Sequence, residues 1–307
     1  MQKEYDVIII GGSYAGLSAA LSLARALKQV LVIDGGKPCN WQTPHSHNFL
    51  TQDGQSPKAI SDLAKSQVLA YDNVALLEDF AVSGRQTDHG FEIVTEKNNV
   101  FHAQKLIFAN GIKDQFPDIV GFGECWGISV IHCPYCHGYE VRNQKTGLLG
   151  NGEDAFEFAK LLWNWTKELT LFTNGKCALN GDQKQSLTDK GIQINEQEIV
   201  EIVHDKGKIK HLVFSDGSAE KLNALYARIK FEQHCGIPQQ LGCEFTEAGL
   251  IASDHFQKTT VEGVYACGDN TSMMRSVANA VYSGNMAGAA VSKELIAAEI
   301  KKEALQD

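Results

Sequence analysis

Residues 6–26 read DVIIIGGSYAGLSAALSLARA: a β-branched run, a glycine-rich turn, then small and apolar residues at helical spacing. Strand, turn and helix are expected in that order. A second apolar run at 30–33 ends on Asp34, roughly 20 residues beyond the turn. That spacing marks a βαβ dinucleotide unit, in which backbone N–H groups meet a pyrophosphate at the helix N-terminus and the acidic side chain accepts from a ribose hydroxyl. Aligned as G-x-G-x-x-G, the turn puts Gly11, Ser13 and Gly16 in the three glycine places. Serine in the middle place adds a Cβ that narrows the approach of a phosphate without forbidding it.

A second unit of the same kind begins near residue 145. KTGLLGNGEDAFEFAKLL predicts a short strand, a G-x-G-x-x-A turn at Gly150, Gly152 and Ala155, and a helix. The next strand, 169–172, ends at Thr173 and Asn174, where an acidic residue would suit NAD and an arginine would suit NADP. Neither charge is there, and Lys176 is the nearest cation. Gly150, Gly152 and Ala155 are therefore nicotinamide candidates whose competence stays open.

At 307 residues the chain has room for two domains of roughly 150 each. Its 28 basic and 37 acidic residues give a net charge of −9, with no basic footprint for a nucleic acid. The start MQKEYDVIII shows no export signal, and the uncharged stretch 276–292 is interrupted by Asn, Ser and Gly, so a cytoplasmic protein without a membrane span is expected. Further strands are expected at 91–95, 106–108 and 263–267, and a hairpin around Asp205-Lys206-Gly207. A turn at Ala109-Asn110-Gly111 leads into a less regular connection, and a helix is expected over 276–296. The order implies one domain interrupted by another.

CPYCH at 133–137 is the most reactive segment. Two thiols two residues apart can close a small disulfide, and a lowered pKa makes one of them a nucleophile. The same letters spell C-x-x-C-H, the haem attachment motif, and His132 adds a further metal-ligand type. Haem attachment would need export, and structural zinc generally needs four ligands, for which there is no second pair at suitable spacing, so no metal is expected. An inert buried pair and a stand-alone thioredoxin-type domain are the further alternatives, and the second does not account for two dinucleotide units flanking the pair. The other six cysteines, Cys39, Cys125, Cys177, Cys235, Cys243 and Cys267, read as reduced structural thiols.

With these motifs in place, the chain resembles the low-molecular-weight thioredoxin reductase family of FAD-dependent pyridine nucleotide-disulfide oxidoreductases. The likeness runs through GGSYAG with Asp34, HNF at 47–49, FANG at 108–111, CPYCHG at 133–138, GNGEDAFEFA at 150–159 and GVYACGDNTSMMRSVANAVYSGNMAGAA at 263–290. The resemblance implies an α/β fold of two Rossmann-like domains, the second inserted into the first. It assigns 1–113 with 239–307 to a discontinuous FAD domain and 114–238 to an NAD(P)-binding-like domain carrying the cysteines. It implies FAD contacts from Gly11, Gly12, Ser13, Tyr14, Ala15, Gly16, Asp34, Gly35, Asn40, Asn48, Ala109, Gly111, Gly268, Asp269, Arg275, Ser276 and Val277.

By the same resemblance Cys136 faces the flavin and Cys133 exchanges with an external dithiol or disulfide. His137 stands where the family usually has an acidic residue, and an imidazole titrating near neutrality suits acid/base work on a thiol. His132, His45 and His47 are weaker candidates. CPYCHG together with Thr173-Asn174-Gly175-Lys176 and the stretch 231–236 looks like the branch that includes dithiol oxidases of the gliotoxin and holomycin pathways. The implied partner is a thioredoxin-like protein or a small dithiol or disulfide, the implied assembly is a homodimer, and NADPH as electron donor stays open.

Overall fold

The computed structural model describes residues 4–305. Val7, Ile8 and Ile9 are fully buried, which suits a strand covered on both faces, and Glu4–Ile10 is the centre of a seven-stranded sheet. It pairs in parallel with Val30–Asp34 on one side and Val100–Phe108 on the other. Val74–Glu78 extends the first edge in parallel, while Gly90–Thr95 and Ala81–Thr87 add an antiparallel pair at the other. Val264–Ala266, from the far end of the chain, lies parallel to the second half of Val100–Phe108. Strand order therefore reverses beside Glu4–Ile10, and a crevice forms at the carboxyl ends there.

One face of this sheet is covered by the helices Tyr14–Arg25 and Val277–Glu303, whose small residues allow backbone contact. A Cβ at Gly284 would stand 2.0 Å from the Ala15 carbonyl oxygen, and one at Gly288 would stand 2.6 Å from that of Ala19. Backbone cannot yield as a flexible side chain does. Gly284→Val is therefore expected to cost about 3 kcal/mol or more, the upper end for overpacking. Thermal unfolding followed by circular dichroism checks this, and an unchanged midpoint would show that the helices can part freely.

The second sheet holds five parallel strands in the order Gln193–Asn195, Leu169–Phe172, Thr146–Leu149, Ala224–Ala227, Val130–Ile131. Helices Gly152–Leu162 and Gly181–Asp189 pack through Ala155, Phe158, Ala159 and Leu187 into its core. The expected hairpin is present as Ile199–Asp205 against Lys208–Phe214, with Lys206 (φ 50°) and Gly207 (φ 80°) both in the left-handed region its turn demands. The fold is α/β, with two Rossmann-like units of which the second interrupts the first.

Three elements differ from their sequence expectation. The strand expected at 106–108 runs over Val100–Phe108, because its first half is paired on both sides, with Glu4–Ile10 and with Gly90–Thr95. The final helix continues to Glu303, its last turn carrying Lys301 and Lys302, which suit the negative end of the helix dipole. The irregular connection after Gly111 is a strand, Ile112–Gln115, antiparallel to Lys230–Gln233. These are the two places where the chain crosses between the sheets. Neither IKDQ nor KFEQ has a pattern of its own; the pairing is completed by Lys113 and Gln115 on Glu232 at 2.8 and 3.1 Å.

Candidate active site

The first turn is built by close backbone approach. Gly11 has φ 107°, and a Cβ on it would lie 2.3 Å from the Ala109 carbonyl oxygen. A Cβ on Gly16 would fall 1.8 Å from the Gly11 carbonyl oxygen, so Gly16 seats the helix on the strand. Ser13 is the N-cap of Tyr14–Arg25 but makes no side-chain capping bond, which leaves the first helical N–H groups directed at the crevice. The Gly12 N–H donates to Asp34 Oδ1 at 3.1 Å, and Lys65 Nζ stands 3.2 Å from Asp34 Oδ2. Tyr14 receives a bond from Asn40 Nδ2 at 3.3 Å and donates to the Pro57 carbonyl at 3.2 Å, tying the loop after Asp34 to the helix.

From this turn a cleft of about 460 Å³ runs to the cysteine segment. Its floor is the Gly268-Asp269 turn, held by the Gly268 N–H donating to buried Ser283 at 3.0 Å and by Asn270 Nδ2 donating to the Phe108 carbonyl at 2.9 Å. Arg275 donates twice to Asp114, at 2.8 and 3.0 Å, and its Nε lies 3.7 Å from Asp269. Burial opposes the Arg275 charge, but the Asp114 carboxylate more than offsets it and holds the pKa above its ordinary value. Burial raises Asp269 against the opposing pull of Arg275. Cys39 donates to Asp269 at 3.7 Å and is pushed up to about 12 by burial and by that carboxylate, so it is a poor nucleophile although its residue is partly surface-exposed.

At the far end, Cys133 and Cys136 are free thiols with sulfurs 2.8 Å apart. Cys136 lines the cleft with His132 and His137, whereas Cys133 is off its wall. The Cys136 S–H donates to Cys133, which lowers Cys133 to about 7. The proton retained by Cys136 carries its own pKa upward, with burial and the Asp269 charge adding to the effect. Alkylation of the reduced protein by iodoacetamide is thus expected at Cys133 first, its rate rising about fivefold from pH 6 to 7 and levelling above 8. Peptide mass mapping across pH checks this, and a midpoint near 9 would remove the acidified thiol.

The expectation that His137 titrates near neutrality meets a buried ring. Burial lowers its pKa to about 4, against the pull of Glu140, so it is neutral at ordinary pH and a weak base. His47, also on the cleft wall, stands between Asp53 at 3.5 Å and Glu140 at 3.6 Å. His45 instead contacts the Gly54 carbonyl within its own loop.

The second glycine turn is closed by its own side chains. Asn151 caps the helix Gly152–Leu162: its Oδ1 accepts from the N–H groups of Gly152 and Ala178 at 2.9 and 2.8 Å. Its Nδ2 donates to the carbonyls of Thr173 and Lys176 at 3.3 and 2.9 Å. Glu153 and Asp154 add negative charge to the first helical turn. These bonds tie the loop 173–178 to the start of the helix.

Of the residues singled out from sequence, Gly11, Gly12, Ser13, Tyr14, Ala15, Asp34, Asn40, Ala109, Gly111, Gly268, Asp269, Arg275, Ser276 and Val277 share this cleft with Cys136 and His137. Gly16, Gly35 and Asn48 do not line it: Gly35 faces the Phe80 ring, and exposed Asn48 donates its N–H to Asp53 at 2.8 Å. Gly150, Gly152 and Ala155 belong to the other turn. Lys65, Trp126 and His234 line the cleft without any motif to announce them, and Asp114 joins it only through Arg275 and Trp126.

The family model for pyridine nucleotide-disulphide oxidoreductases matches residues 5–284. Thioredoxin reductase tcpT of Claviceps purpurea is 35% identical over 303 residues, covering 95% of this chain and 94% of that protein. An oxidoreductase of Agrobacterium tumefaciens superposes with TM-score 0.90 at 37% identity, covering 96% of this chain and 99% of that one. The crystal structure of HlmI gives 0.93 at 28% identity, covering 100% and 98%. The likeness seen in the motifs therefore extends over the whole chain and its fold, and the protein belongs to the pyridine nucleotide-disulphide oxidoreductase family.

Proposed function

We propose that the protein is an FAD-dependent thiol-disulfide oxidoreductase of thioredoxin reductase type, in which electrons pass between a flavin, the Cys136/Cys133 pair and an external dithiol or disulfide. The observation that carries the reading is one continuous cleft, open at one end to the uncapped helix N-terminus after Ser13 and at the other to Cys136. FAD fits the donors present. The first-turn N–H groups suit its pyrophosphate, Asp34 suits a ribose hydroxyl, and the Gly268-Asp269 turn with Arg275 offers polar groups further along. When bound, FAD supplies a two-electron acceptor or donor beside Cys136.

The chain's own chemistry is thiol-disulfide exchange. With the pair oxidised, an external thiolate attacks the Cys133 sulfur and expels Cys136, which takes up a proton. The second external thiol, deprotonated, then closes on the mixed disulfide and expels Cys133, whose low pKa makes it a good leaving group. The external dithiol ends as a disulfide, the pair ends as two thiols, and both protons have moved to the protein. His137 on the cleft wall is the group through which the proton passes to Cys136, since a ring with a depressed pKa gives up a proton readily.

A specific observation favours a second reading for direction, in which a dithiol is the donor, molecular oxygen the final acceptor, and the second dinucleotide unit vestigial: the Asn151 bonds that close that turn. Anaerobic mixing with a dithiol, NADPH or NADH while following flavin absorbance tests both readings. Bleaching by some donor is required by either, and failure of all three would sink them together. In line with the family, we further read the protein as a cytoplasmic homodimer acting on a thioredoxin-like protein or a small dithiol or disulfide. No helix among the described residues is long and apolar enough to cross a membrane.

A further inference from the structure

The connection from residue 35 to residue 56 contains no helix or strand, and irregular loops of that length inside a packed unit are usually functional. It is pinned to the first unit at both ends. Asn40 Nδ2 donates to the Tyr14 hydroxyl at 3.3 Å, and that hydroxyl donates to the Pro57 carbonyl. Between these pins the loop closes on itself, the Ser46 N–H donating to the Gln55 carbonyl at 2.7 Å.

The same loop touches the second unit on both sides of the cysteine segment. Before the cysteines, Gln42 Nε2 donates to the Gly123 carbonyl at 3.1 Å, and Gly127 lies so near Thr43 that a Cβ on it would stand 2.9 Å from Thr43 Oγ1. After them, His47 Nε2 lies 3.6 Å from Glu140 Oε1. These contacts bracket residues 133–136. The covalent links between the units are the short strands Ile112–Gln115 and Lys230–Gln233, and units joined so lightly move against each other unless other contacts hold them. A further tie runs from Trp126 through Asp114 to Arg275. In the arrangement so held, Cys136 is on the cleft wall, while Cys133 is off it and partly exposed.

We propose that residues 35–56 form a strap that holds the redox segment against the cleft, with Gln42, Thr43 and His47 as positioning residues, and that exchange at Cys133 and electron passage from Cys136 take place in this one arrangement of the two units. This rests on the reading that the cleft takes FAD and that the pair exchanges with an external dithiol. The chemistry is unchanged by it. The external dithiol leaves as a disulfide and the pair becomes two thiols; when the pair closes again to its disulfide, two electrons pass to the flavin and two protons to flavin and solvent.

Gln42 and Glu140 do not line the cleft, so Gln42→Ala/Glu140→Ala loosens the strap without removing a group from the wall. The wild-type holoprotein and this variant are compared by anaerobic flavin bleaching with dithiothreitol, and by iodoacetamide alkylation of Cys133 in the reduced protein at pH 7. Bleaching is expected to slow about tenfold, since a small displacement of a reacting pair is costly, while alkylation stays within about twofold of wild type. Gln42→Ala alone changes no charge and is expected to slow bleaching about threefold, which separates the strap from the pull of Glu140 on His137. Unchanged bleaching in Gln42→Ala would overturn the strap, whatever the double variant does, and leave the FAD reading standing; the same outcome decides if the double variant does not fold, as judged by circular dichroism. Alkylation that speeds up severalfold in the folded variants would show that the strapped arrangement covers Cys133, and would overturn the single arrangement. Wild-type protein that takes up no FAD, or whose flavin dithiothreitol does not bleach, would overturn this proposal together with the reading it rests on.

Discussion

Cys136→Ser is expected to leave the protein yellow and to lower electron transfer between a dithiol and the flavin by roughly a thousandfold or more. A serine hydroxyl cannot form the sulfur-sulfur bond that exchange requires, and it occupies nearly the same volume on the cleft wall, so FAD binding is preserved. Serine keeps an O–H in place of the S–H that donates to Cys133 at 2.8 Å, so the hydrogen bond is probed by Cys136→Ala, which has no side-chain donor. In that variant the Cys133 pKa should climb back toward its ordinary value, and its alkylation at pH 7 should slow. Two measurements thus report different links of the chain: stopped-flow flavin bleaching of the Ser variant reads the electron route, and alkylation of the Ala variant reads the hydrogen bond. Full disulfide turnover in the Ser variant would mean that the route does not run through this pair.

The second large effect concerns the electron donor. At equal concentration, a small dithiol is expected to bleach the flavin at least roughly a hundredfold faster than NADPH or NADH, a gap of about 2.7 kcal/mol. The physical cause is the self-satisfied second turn. In the first unit Ser13 makes no capping bond, so the helical N–H groups have a use for a phosphate. In the second, the Asn151 side chain already takes the Gly152 and Ala178 N–H groups, and Glu153 and Asp154 face any incoming anion with like charge. These bonds, with two more from Asn151 to the Thr173 and Lys176 carbonyls, hold the loop 173–178 to the start of the helix. Rapid bleaching by NADPH would show that the loop 173–178 opens readily, and would return the protein to the reductase direction.

Much of the architecture was legible in the chain because the signals act over a few residues. β-branched runs, glycines at a tight turn and an acidic residue at the end of the next strand specify a βαβ unit locally, and both such units are present as parallel sheets. The hairpin at Lys206 and Gly207 was legible for the same reason. Where the reading failed, the determining partner was remote. Ile112–Gln115 is polar and short, and becomes a strand only because Lys230–Gln233 comes back beside it. His137 carries an ordinary imidazole, and only the surrounding burial moves its titration far below neutrality.

What the sequence determined by itself was the inventory: two dinucleotide-type turns, one acidic residue after the first of them, and one C-x-x-C pair among eight cysteines. Those follow from turn geometry and spacing, which a linear chain carries openly. Tertiary structure decided which of these groups share a cavity. It put Cys136 on the cleft and Cys133 off it, and brought Asp114 to Arg275 from 161 residues away. It also separated two turns that look alike on paper, since a capping bond depends on which loop is folded over the helix end. Hydrogen bonding and desolvation are short-range in space while indifferent to distance along the chain, and that is why the chemistry of this site was settled by the fold.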